Sequence, residues 1–107
     1  MTVSEPWFSY IKNKKKVIEG RLNKGVFSTL NKGDIIIFVN NDKQIKVKIR
    51  KITKYNSFKE YLTQEGLKRT LPNINSIEDG CDIYYKYYTK EQEKDFKILA
   101  IHIKIIS

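Results

Sequence analysis

One cysteine, one histidine, one alanine and two prolines are all that 107 residues hold of those types. The lone Cys81 can form no intrachain disulfide, so an intracellular, cytoplasmic protein is expected. Neither Cys81 nor His102 has a partner at metal-ligand spacing, and no metal or other cofactor is expected. No apolar run approaches the roughly 18 residues of a membrane span. The start, MTVSEPWF, lacks the charged and apolar stretches of a signal peptide, so no membrane partner is expected. Arginine is scarce too, three residues against 18 lysines, which limits bidentate contacts to phosphate or guanine. Internal repeats, linkers, a phosphate loop and a Ser/His/Asp arrangement are all missing.

What is present describes a folded chain. Hydrophobic residues make up 40% and aromatics 12%, too much for a disordered tail, and the length suits one domain spanning 1–107. The net charge of +9 is unevenly placed: residues 1–54 hold 13 Lys+Arg against 4 Asp+Glu, and residues 55–107 hold 8 against 8. Richness in Lys, Ile and Asn can follow from nucleotide bias alone, but confinement of the excess to one half points to a basic face and a nucleic-acid partner.

Pro6, Trp7, Tyr10 and Ile11 open a helix over 6–12, with Asn13 as its left-handed exit. Strands follow at 16–22 and 34–39, with Gly25–Lys32 as a loop and Asn40-Asn41-Asp42 as a turn. In 43–53, Ile45, Val47 and Ile49 alternate with Gln44, Lys46, Lys48 and Arg50, giving a core face and a cationic stripe. Such a stripe is more often a solvated face than a binding surface. Ser57 with Glu60, Ser76 with Asp79 and Thr89 with Gln92 have capping-box spacing, setting helices at 57–65 and 77–88 and a last short turn. A closing strand occupies 97–106. Strands first and last, with helices inserted between them, argue for a small mixed α/β barrel.

The segment EPWFSYIKNKKKVIEGRLNKG carries the sharpest signal. Its Lys14, Lys16, Glu19 and Arg21, just after a first helix, resemble the G-x-K-x-x-E-x-R mark of ASCH domains. KGDIIIF, YNSFKEYLTQEGLKRTLP and YYKYYTKEQEKDFKILAIHI are similar to later parts of the same family, in its bacterial and viral single-domain branch. The resemblance covers nearly the whole chain. It implies an α+β fold, a small PUA-like β-barrel with helices packed around it. It also implies a cleft between barrel and helices, lined by the Lys, Glu and Arg positions, and a link to RNA. Lys14 stands where glycine is usual, and Glu19 where the amidohydrolase branch carries a nucleophilic threonine. A carboxylate cannot simply replace that hydroxyl, which weakens an acylated-cytidine hydrolase reading.

The candidate ligand-binding residues are Trp7, Lys14, Lys16, Glu19, Arg21 and Tyr85. Glu19 and Arg21 lie two apart on a strand and share a face, so an ion pair between them is expected. Trp7 could stack on a base or pack in the core. Tyr84 and Tyr88 should pack inward, leaving Tyr85 and Tyr87 nearer solvent. Cys81 is expected as a small buried hydrophobe, and His102 in a structural role. The leading function is binding of RNA or a nucleotide in a basic cleft. The alternative is a small hydrolase of a modified nucleoside or single-stranded RNA, with Lys16 as base and Glu19 as acid or water-orienting carboxylate. A regulatory protein-interaction domain, its protein partners unspecified, is the third reading.

Overall fold

Alternation in the long central strand organises the fold seen in a computed structural model, which describes residues 1–106. Strand β3 (Lys43–Tyr55) buries Ile45, Val47 and Ile49 and exposes Lys46, Lys48 and Arg50. It pairs antiparallel with β2 (Ile35–Asn40) through the Asn41-Asp42 turn, where Asn41 takes a φ of 55°. On its other side lies β4 (Ile98–Ile105), which in turn pairs with β1 (Ile18–Leu22). The sheet order is β1-β4-β3-β2, all antiparallel, and the sheet curls into a half-barrel. The closing strand therefore lies beside β3, as the sequence predicts.

Five helices complete the chain: α1 (Trp7–Lys12), α2 (Phe58–Glu65), α3 (Leu67–Thr70), α4 (Ile77–Tyr85) and α5 (Lys90–Phe96). Residues 25–29, expected as loop, form a turn of 3-10 helix. Thr89 and Gln92 make a complete capping box. Ser57 caps the Glu60 amide, but the Glu60 carboxylate reaches the Asn56 amide instead of closing a box. Ser76 accepts from the Asp79 amide. The left-handed residue after α1 is Lys14, with φ 64°, and not Asn13.

Both faces of β4 are covered, which is why ILAIHI reads as one apolar run. Leu99, Ile101 and Ile103 join Val3, Phe8, Ile11, Phe38, Val47 and Ile49 inside the half-barrel. Ile98 and Ala100 join Ile18, Phe58, Tyr61, Leu62, Leu71 and Tyr84 beneath the helices. The helical layer covers only part of the outer surface. Across β2 and the start of β3, Ile35 and Ile37 stay exposed beside Lys48 and Lys46.

The N-terminus lies along the β2 edge. The Val3 amide donates to the Val39 carbonyl at 3.0 Å and the Val39 amide to Met1 at 2.8 Å. Between this segment and the β1 edge the barrel stays open, and the opening is where polar groups converge. Among the described residues, no helix is long and apolar enough to cross a membrane.

Candidate functional site

The backbone of β1 explains the site. Its side chains alternate, so Ile18 and Leu22 enter the core under the helices while Glu19 and Arg21 turn to the opposite face. Gly20 between them lets the Tyr61 ring lie directly on the strand; a Cβ there would come within 2.7 Å of that ring. Tyr61 is fully buried, and its hydroxyl shares a 3.0 Å hydrogen bond with that of Tyr84. Gly20→Ala must displace this ring, and we expect a loss of about 1–3 kcal/mol in urea unfolding. A loss below about 0.5 kcal/mol would mean the ring relocates freely, beyond what a packed core normally allows.

Lys16 precedes the strand and turns inward. It is only 2% exposed, and Glu19 only 6%. The Lys16 ammonium donates to the Ile18 carbonyl at 2.8 Å and to the Thr70 carbonyl, and lies 3.4 Å from Glu19 Oε1. Its three N–H bonds thus have three acceptors, an arrangement that suits the ammonium and leaves no lone pair for a base. Glu19 Oε2 accepts from Arg21 Nη2 at 2.9 Å and from Nε at 3.3 Å. Arg21 Nη2 also donates to the Thr2 carbonyl at 3.2 Å, and its guanidinium lies 5.0 Å from the Phe27 ring centroid. This arginine ties the β1 edge to the N-terminal segment across the barrel opening.

Burial pushes the Lys16 pKa down, and the Glu19 carboxylate offsets this only in part. Burial pushes Glu19 up, but Lys16 and Arg21 together outweigh it and hold the carboxyl below its ordinary range. Arg21 is raised, because Glu19 outweighs its own desolvation. The result is a cation–anion–cation row with one net positive charge, at the floor of a cavity of about 210 Å³.

The walls of that cavity are aromatic. Trp7, Tyr84, Tyr87 and Tyr88 line it with Thr2 to Ser4 and the three charged residues. Trp7 is half-buried and packs against both cores as well as the cavity, so core packing and cavity lining coincide in one side chain. Tyr84 and Tyr88 both stack on Phe58. Tyr87 is 60% exposed, and its hydroxyl lies 3.3 Å from Ser4 Oγ across the mouth.

Two of the six residues expected in the cleft lie elsewhere. Tyr85 sets its ring edge-on to Phe58 and donates to Glu93 Oε1 at 2.7 Å, on the helical side. Lys14 lines a separate cavity beyond Lys16. Tyr84, Tyr87 and Tyr88 form the wall instead. The chain leaves the helix after Tyr85 to cap α5 at Thr89, and that turn swings Tyr87 and Tyr88 to the cavity. Ser4 and Thr2 gave no sequence signal, since an N-terminal segment beside a sheet edge shows no periodicity.

His102 also lies outside the cavity. Its Nε2 is 3.2 Å from Glu65 Oε2, which also accepts from the Tyr55 hydroxyl at 2.6 Å, while Arg69 Nη2 donates to Glu65 Oε1 at 3.1 Å. Burial and the Glu65 carboxylate push Tyr55 up to about 12. Cys81 is half-buried against the helical core, less enclosed than expected.

A family model described as "ASCH domain" matches residues 1–107. Two solved structures are similar over nearly the whole chain. The crystal structure of hypothetical protein PH0355 is 42% identical, with 99% of this chain and 96% of that one covered and a TM-score of 0.93. The solution NMR structure of protein PF0455 from Pyrococcus furiosus is 38% identical, with 100% and 96% covered and a TM-score of 0.84. No curated protein matches significantly. The expected bacterial or viral branch finds no support in these relatives, since Pyrococcus furiosus is an archaeon.

Proposed function

The chain belongs to the ASCH domain family, a PUA-like family often associated with RNA binding, and from that premise we propose that its cleft binds an unpaired base of RNA or a nucleotide. The observation that carries this reading is the juxtaposition of the Lys16–Glu19–Arg21 row with an aromatic wall. A cavity of about 210 Å³ falls below the roughly 300–1,000 Å³ that encloses a drug-sized ligand, so it suits one planar fragment with the remainder outside. Trp7 and Tyr87 supply rings for stacking, and fixed donors and acceptors on the floor supply selectivity.

Catalysis by Lys16 acting as base is less well supported, because its donors are all engaged with protein acceptors. The binding reading is tested by titrating labelled protein with uridine, cytidine and short single-stranded RNA while following the Trp7 indole signal by NMR. Tyr87→Ala should leave the melting temperature within about 2 °C, because the ring is mostly exposed. It should weaken binding by about 1–3 kcal/mol, the usual worth of a base–aromatic stack. Unaltered affinity in that variant, or no shift of the Trp7 indole with any ligand, defeats the reading.

A further inference from the structure

Beyond the cleft, on the far side of the Lys16 side chain, a second cavity of about 330 Å³ opens at the end of β4. Ile11, Val17, Ile103 and Ile105 form its apolar lining, Lys16 borders it on the cleft side, and Lys14, Arg50 and Lys104 bring three further cations to it. Among the described residues, no acidic side chain lines it. Among the described residues, none of these three cations makes an ion pair; the ion pairs centre on Glu19 and Glu65.

Three further features converge there. Arg50 sits at an irregularity in the β3–β4 pairing: Ile49 opposes Ile103 and Lys51 opposes His102, which leaves Arg50 as the extra residue. A bulge of this kind re-aims a side chain and interrupts the regular stripe. Lys48 lies directly opposite Lys104 across the strands, a like-charge pair that costs stability unless something neutralises it. Lys14 holds a left-handed backbone that is unfavourable for a lysine, and it follows α1 directly at the cavity. Charge is gathered at this place against the preference of the fold.

We infer that the pocket at the β3 bulge is a second ligand site, one that takes phosphate groups through Lys14, Arg50 and Lys104. Three cations exceed what one carboxylate would neutralise, and the arginine fork fits phosphate oxygens in a bidentate manner. Lys46 and Lys48 continue the positive surface away from the pocket along β3, a path that suits successive phosphates. The same chemistry could come from a nucleic-acid backbone or from a free nucleotide or phosphate ion. The inference stands apart from what fills the cleft.

The test follows the Arg50 side-chain Nε–H and the Lys14 and Lys104 amides by NMR during titration with inorganic phosphate, uridine monophosphate and a short oligouridylate. All three probes should shift these signals. Much tighter binding of the oligomer identifies a polymer backbone as the source, and equal binding of the monophosphate identifies a free nucleotide. The triple variant K14Q/R50Q/K104Q should keep or raise the wild-type melting temperature, since it relieves the Lys48–Lys104 repulsion, and should bind the tightest probe at least about tenfold more weakly. For the oligomer, the slope of log affinity against log salt should fall by about 2, from three contacts at about 0.7 each. K59Q/K68Q/K94Q removes three exposed charges from the helical side and should change neither quantity. If that control matches the triple variant, or if no probe moves the pocket signals, the site is overturned. Uridine, lacking phosphate, reports on the cleft alone. A Trp7 indole shift with uridine, and no pocket shift with any phosphate-bearing probe, removes this site and keeps the cleft reading; pocket shifts with no Trp7 shift from any ligand remove only the cleft reading.

Discussion

Lys16→Met is expected to destabilise the protein by roughly 3–5 kcal/mol, the usual cost of removing one partner from a buried ion pair. For a domain of this size that is on the order of 15 °C in Tm. Methionine keeps the stem that separates the two cavities and removes only the ammonium, so packing loss contributes little. Three acceptors lose their donor. Glu19 keeps Arg21, but the Ile18 and Thr70 carbonyls are left without the ammonium they face. The Thr70 carbonyl ends α3, a four-residue helix whose preceding carbonyl, on Arg69, already takes the Val17 amide at 3.0 Å. Lys16 therefore fastens α3 to the start of β1, and a cation at that helix end also complements the local dipole. Urea unfolding with matched m-values measures the loss. A change below about 1 kcal/mol would show the ammonium to be dispensable, and Lys16 would return to consideration as a ligand or catalytic group.

That outcome bears on what the sequence could reveal. The spacing of Lys16, Glu19 and Arg21 was legible, and so was the shared face of Glu19 and Arg21, because a strand alternates. The depth of Lys16 was not. It sits in a run of three lysines whose other two members are exposed, and nothing local separates it from them. Its burial comes from a helix end more than fifty residues away. Periodicity found all four strands but not the bulge, although Ile45, Val47 and Ile49 step by two and Ile52 comes only after three. Helix α3 escaped notice because it has four residues and no side-chain cap, and it follows α2 through Gly66 alone. The tyrosines misled for a related reason. On a continuing helix Tyr85 faces outward, but the cavity wall takes Tyr84 from the helix and then Tyr87 and Tyr88 from beyond its end. Capping at Thr89 was visible, and its consequence for Tyr87 and Tyr88 was a tertiary matter.

Glu19→Gln should produce the other large effect, and its signature is in pH as well as magnitude. The amide keeps the volume, but its NH₂ cannot satisfy Arg21, and two neighbouring cations, one fully buried, lose their anion. We expect a loss of roughly 3–5 kcal/mol near neutral pH. In the wild type the Glu19 pKa is lower folded than unfolded, so the folded state favours the carboxylate. Its contribution is complete above the ordinary carboxylate value of 4.5 and disappears as pH falls through the depressed value. The variant has no such group, and its stability should fall less steeply in acid. At high pH the difference reverses in kind. Burial already lowers the Lys16 pKa and Glu19 raises it, so removing Glu19 depresses it further. A lysine that binds its proton less well when folded gains stability as pH rises toward its unfolded value of 10.5. Glu19→Gln should therefore recover stability more strongly than the wild type as pH rises toward 10.5, because Lys16 gives up its proton more readily there. Urea midpoints across about pH 3 to 10 for both proteins supply the measurement. Parallel curves would show that Glu19 is not coupled to Lys16 as the 3.4 Å contact requires.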